Sequence, residues 1–145
     1  MEIYSIGFTQ KSAGEFFGIL KAHGIERLLD VRLNNTSQLA GFAKQADLAY
    51  FLREICEAGY AHEPLLAPTQ DILDAYKKRK GDWGVYEEAY LNLIRTRKVE
   101  SALNRESFRR KTVLLCSEAT VEHCHRRLAL EYLRDQWGDI VIHHL

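Results

Sequence analysis

The chain has 145 residues, 46% of them apolar and 28% charged, with twenty basic and twenty acidic side chains. Those are globular values, far from the disordered or membrane classes, and a chain this long buries roughly two-thirds of its unfolded surface in one domain. No apolar run reaches the length of a membrane span and residues 1–6 lack the basic start of an export signal, so a cytoplasmic protein without membrane contact is expected. The three cysteines, Cys56, Cys116 and Cys124, are an odd number, which predicts reduced thiols rather than a disulfide framework.

Residues 3–8 predict a first strand, ended by Gly7, Thr9 and Gln10. A helix follows, because Ser12 with Glu15 three residues on is a capping-box pattern, Phe16, Phe17, Ile19 and Leu20 supply an apolar face, and His23-Gly24 close it. Residues 27–32 form a second strand. Strand, helix and strand in so short a stretch predict a βαβ unit with parallel strands. The segment 33–45 has no period and reads as a loop. Asp47 is placed to cap the next helix, which runs to about Ala58 and stops at Gly59, with Cys56 on its apolar side. Residues 60–63 suggest a short third strand.

From Thr69 to about Ser107 the pattern is helical, broken at residues 81–84. The apolar run Thr112-Val113-Leu114-Leu115 then reads as a buried strand delivering Cys116, since β-branched residues without polar alternation suit a strand covered on both faces. A helix over residues 121–136, capped by Thr120, and a last strand over 139–144 complete the chain. The fold class expected is α/β, three-layered, with a mostly parallel sheet flanked by helices and a helical insertion in the middle.

Charge is unevenly spread along this order. Residues 77–111 carry eleven basic and five acidic side chains, against six and ten before them and three and five after. Lys77 to Lys80, Arg95 to Lys98 and Arg109 to Lys111 are the patches that would steer an anionic partner, or else a solvated helical surface.

If the strands ending near Thr9, Arg32 and Cys116 are parallel neighbours, their carboxyl ends bring a hydroxyl, Asp30, Arg32, Cys116 and Glu118 to one crevice, the usual ligand edge of an open α/β sheet. Arg32 suits a phosphate or carboxylate because its planar fork donates two parallel hydrogen bonds. Cys116 is a nucleophile if a helix N-terminus or an arginine stabilises its thiolate, and an inert strand-end thiol otherwise. The spacing from Cys116 to Arg126 differs from the Cys-x5-Arg loop of thiol phosphatases. His125 is a candidate acid or base, while helical geometry turns Cys124, His125 and Arg126 about 100° and 200° apart. A zinc set drawn from Cys116, Glu118, His123, Cys124, His125, His143 and His144 lacks ligand spacing, so no metal is assigned. Trp83, Tyr86 and Tyr90 either stack on bases or pack in the core.

Ile6-Gly7-Phe8-Thr9, Leu29-Asp30-Val31-Arg32, Ser37 and Phe42, Leu115-Cys116-Ser117-Glu118 and Cys124-His125-Arg126 together resemble the domain-of-unknown-function 488 family over nearly the whole chain. Phe8 and Thr9 depart from its usual Ile-Gly-His-Ser start. Leu33-Asn34-Asn35 stands where a proline-containing stretch is common, and residues 65–69 replace a glycine-bearing segment. The resemblance implies a fold and a shared site but carries no activity. The expectation is an enzyme acting on an anionic substrate, with Cys116, Glu118, His125 and Asp30 as catalytic candidates and Thr9, Arg32, Ser37 and Arg126 as substrate-binding ones. The alternative is a non-catalytic nucleic-acid-binding module; cofactor and oligomeric state stay open.

Overall fold

The computed structural model describes residues 1–36, 38–118 and 120–145. Five strands, β1 (Glu2–Gly7), β2 (Arg27–Asp30), β3 (Gly59–His62), β4 (Thr112–Cys116) and β5 (Val141–His144), form one sheet in the order β3-β2-β4-β1-β5. Every pairing is parallel. The strand carrying Cys116 lies between the strands that lead to Thr9 and to Arg32 and runs parallel to both, as expected, while β1 and β2 of the βαβ unit are not paired directly.

Alternation along the strands divides the core in two. Ile3, Leu29 and Leu114 face one side, with helices α4 (Trp83–Thr96) and α6 (His125–Trp137). Tyr4, Leu28, Val113 and Leu115 face the other, with α1 (Ala13–Ala22) and α2 (Gln45–Phe51). The three layers follow from this division. The helical insertion between β3 and β4 consists of α3 (Gln70–Lys77), α4, the short α5 (Val99–Ala102) and 3₁₀ turns. None of the helices among the described residues is long and apolar enough to cross a membrane.

Ser12 caps α1 with Glu15 reciprocating, and His23 and Gly24, the latter at φ 65°, close it. Three other helix boundaries differ from expectation. Lys44 stands at the start of α2, with Asp47 inside its first turn rather than at the cap. The helix continues as a π-helical turn through Cys56 and ends at Glu57 in the left-handed region, so Gly59 begins a strand instead of stopping a helix. α6 begins at His125, not at Val121, and its N-cap is Cys124 rather than Thr120. The cause is side-chain competition for carbonyls. Arg127 donates to Val121 O at 3.1 Å and to Glu122 O at 3.1 Å, and Arg126 to Glu118 O at 2.8 Å, so those acceptors are satisfied without helical N–H groups.

Candidate functional site

The chain leaves β4 toward the α4/α6 face, whereas β1 and β2 on either side lead to α1 and α2 on the other face. That divergence opens a crevice at the carboxyl end of β4, the switch point of the sheet. The segment after Cys116 is pinned there by β1. Thr9 donates its backbone N–H at 3.2 Å and its hydroxyl to Ser117 O. Gly7 makes the approach possible, because a Cβ at that position would lie 1.6 Å from Glu118 O. Thr9 is therefore an exposed clamp on the loop, and it does not line the cleft.

Cys116 is 5% exposed, with Sγ 3.6 Å from His125 Nδ1. His125 Nε2 lies 2.8 Å from Val31 O. A carbonyl only accepts, so Nε2 carries the proton and the bare Nδ1 of the neutral ring faces the sulfur. Burial lowers the pKa of His125 and keeps it neutral, as a base must be.

Cys124 completes the group. Its backbone is extended, φ −138° and ψ 136°, because it stands outside the helix. The angular separation expected for consecutive helical residues does not apply to it, and its thiol turns to Cys116. The donor atoms of Cys116, Cys124 and His125 all lie within 4.8 Å of one another and all three residues are buried.

The two thiols share their protons unequally. Cys116 is lowered, first because the Cys124 thiol donates to it, then by the Glu118 and Ser117 N–H groups and the Arg126 charge, against the opposing effect of burial. Cys124 is raised, by burial and by its neighbour's negative charge. Arg126 shows where this charge is needed. Its guanidinium is fully buried and donates to Glu118 O at 2.8 Å, Ser5 Oγ at 3.2 Å and Cys124 Sγ at 3.3 Å. Among the described residues it forms no ion pair with any carboxylate. A buried cation favours negative charge on the groups beside it, and the Arg126 charge is one cause of the lowered Cys116 thiol. Arg126 thus lies behind the thiols, out of reach of a ligand in the cleft.

Two thiols and an imidazole in this compass are also a donor set for a soft divalent ion. Beside Arg126, a divalent ion on two thiolates would leave the buried group with a net positive charge, whereas one thiolate alone would leave it neutral.

The cleft in front of Cys116 has a volume of about 450 Å³ and is lined by Arg32, Glu118, His123, His125, Lys77 and the aromatic side chains of Tyr76, Trp83 and Tyr86, among others. Glu118 pairs with Lys77. That pair lifts the Lys77 ammonium although burial works against it. Trp83 stacks on Tyr86 and on His123, both with ring centroids 4.9 Å away, so its flat faces serve the wall of the cleft.

Arg32 is 4% exposed. Its Nε and Nη2 form a two-pronged pair with Asp30 at 2.9 and 2.8 Å, and Nη2 also reaches Ala43 O at 2.7 Å. Nη1 has no partner among the described residues. Arg32 lines the cleft. Asp30 itself is fully buried beneath it and receives the Tyr60 hydroxyl at 2.6 Å, which with burial pushes the Tyr60 phenol up. Its register partner is Leu115, so its side chain points to the α1/α2 face, opposite Cys116.

The structure therefore gathers Cys116, Glu118, His125 and Arg32 around one cleft, with Arg126 and Asp30 behind it and Thr9 beside it. Ser37 lies outside the described residues. Sequence reasoning grouped Cys124 and His123 with Cys116 only in a zinc set that it set aside, read Lys77 only as part of a basic patch, and did not single out Tyr60. The basic segment is dispersed. Arg97 bonds the carbonyls of Pro64, Leu65 and Ala67, and Arg110 and Lys111 bond Glu26 and His23 at the amino ends of β2 and β4. Only the run from Lys77 adjoins the cleft.

The model of the family described as domain of unknown function DUF488 matches residues 12–133, from the cap of α1 into the last turns of α6. The chain belongs to the DUF488 family. Membership covers both thiols, His125, Arg126, Asp30 and Arg32, so the cleft lies wholly within the family's domain. No curated protein and no solved structure matches the chain.

Proposed function

We propose that this DUF488 member is an enzyme that acts on an anionic substrate in the cleft at the carboxyl end of β4, with Cys116 as nucleophile. The observation that carries the reading is the line Cys116 Sγ, His125 Nδ1, His125 Nε2, Val31 O, at 3.6 and 2.8 Å. A nucleophile, a base and a group that fixes the base's tautomer are in hydrogen-bonding sequence, and the thiol opens onto a cavity of substrate size. Val31 O plays the orienting part that a carboxylate plays elsewhere. Sγ bonds the electrophilic atom as a thiolate while the bond from that atom to the leaving group breaks and the leaving group takes a proton from solvent. His125 Nδ1, unprotonated beside the sulfur, accepts a proton from the water that releases the product. Glu118, paired with Lys77, is placed to position that water. Arg32 Nη1 and the Lys77 ammonium give the cleft its preference for negative charge.

The reading is tested by iodoacetamide labelling near pH 7 with and without inorganic pyrophosphate. We expect Cys116 to be labelled first, pyrophosphate to slow its labelling several-fold, and Lys77→Ala to abolish that protection while leaving the unprotected rate within about twofold. Labelling of Cys116 no faster than that of Cys56, with no effect of pyrophosphate, overturns it.

A further inference from the structure

The mechanism above uses Cys124 only as a hydrogen-bond donor to Cys116 and gives its own sulfur no bond to make, although it is buried, extended and aimed at the nucleophile. Resting on the reading of Cys116 as a thiolate, we infer that Cys124 is its resolving thiol, so that the cleft is closed reversibly by a hydroperoxide through a Cys116–Cys124 disulfide.

Three observations carry this. The sulfurs lie within 4.8 Å of each other, so neither chain end need travel far to form a bond. Cys124 sits at the end of the irregular stretch 120–124, before the first residue of α6, so closing the gap bends a loop rather than breaking a helix. Arg126 then bears on the attacking sulfur: its buried guanidinium lies 3.3 Å from Cys124 Sγ and has no carboxylate partner among the described residues, so it favours negative charge on Cys124 as that sulfur attacks.

The steps balance. The Cys116 thiolate attacks the distal oxygen of the hydroperoxide, the O–O bond breaks, and an alkoxide or hydroxide leaves, giving the sulfenic acid. Cys124 sulfur then attacks Cys116 sulfur. The S–O bond breaks, and the hydroxide leaves with the Cys124 proton as water. An external dithiol restores both thiols. Cys56 cannot substitute, because it lies under α1 with its sulfur 3.7 Å from Phe17 O, on the opposite face of the sheet from Cys116.

The experiment treats the whole chain with one equivalent of hydrogen peroxide and reads intact mass and the cysteine-containing peptides, beside iodoacetamide labelling of the untreated protein. We expect loss of two hydrogens, a linked Cys116–Cys124 peptide, loss of fast labelling, and full recovery with dithiothreitol. In Cys124→Ser the product should be a Cys116 sulfenic acid that a cyclic dione traps, at an initial rate within about threefold of wild type. Fast labelling of Cys116 in untreated protein together with oxidation to sulfinic acid, or a link through Cys56, overturns the resolving role alone. Slow labelling and no reaction with peroxide overturn both readings. Stoichiometric zinc in the purified protein that shields both thiols from either reagent replaces the disulfide with a metal site.

Discussion

Gly7, Arg32 and Asp30 show how closely single residues are held at this site. Placing a Cβ at Gly7 drives it into Glu118 O, a backbone atom that cannot rotate away. Gly7→Ala is expected to cost about 3 kcal/mol, at the upper end of overpacking, and to slow Cys116 labelling as the loop lifts. Urea unfolding beside the labelling rate checks both parts. Arg32 looked from the sequence like a group reaching into the crevice, weakly tied to the fold. Two of its nitrogens are instead spent on Asp30, so Arg32→Ala and Asp30→Ala should each lose roughly 3–5 kcal/mol, since either change strands a buried charge. Tyr60→Phe removes a hydrogen bond to the same carboxylate and should cost about 1.5–3 kcal/mol. Equilibrium unfolding orders the three, and Arg32→Ala as the mildest of them contradicts the pairing described.

Among the elements, those with a local chemical signal were legible. The capping box of α1 is written in Ser12 and Glu15, and its closing turn in His23-Gly24. Ser12→Ala should destabilise by about 1 kcal/mol in a thermal or urea melt. The Ser12 N–H and hydroxyl lower the Glu15 carboxyl, so the stability it contributes is present above the ordinary glutamate range and lost as pH falls through its folded value. The acid limb of the stability curve should be shallower in Ser12→Ala than in wild type. The start of α6 was not legible, because it is set by two arginine side chains that reach back five to eight residues to carbonyls, a contact invisible in apolar periodicity. With that boundary went the role of Cys124. The facing of Asp30 was hidden for a different reason. β2 and β4 are apolar on both faces, so no polar alternation marks which residues share a side.

At the scale of the whole molecule, strand order and parallel direction followed from the connections, and the gathering of Cys116, Glu118, His125 and Arg32 followed from strand order. The excess of positive charge in residues 77–111 did not translate into one basic face, because several of those cations are turned onto backbone carbonyls at separate places. Binding to a random-sequence oligonucleotide should therefore be weak, with a shallow dependence on salt. A slope of many counterions would revive the nucleic-acid-binding alternative. The proposed chemistry turns instead on one buried thiolate beside Arg126. Thiolate absorbance in the ultraviolet, followed from acid to alkaline pH in wild type and in the Cys116→Ser/Cys124→Ser double variant, measures that charge directly. A single thiolate that forms below the ordinary cysteine range in wild type and is absent from the double variant is the predicted result; three thiols that all ionise at or above that range contradict it.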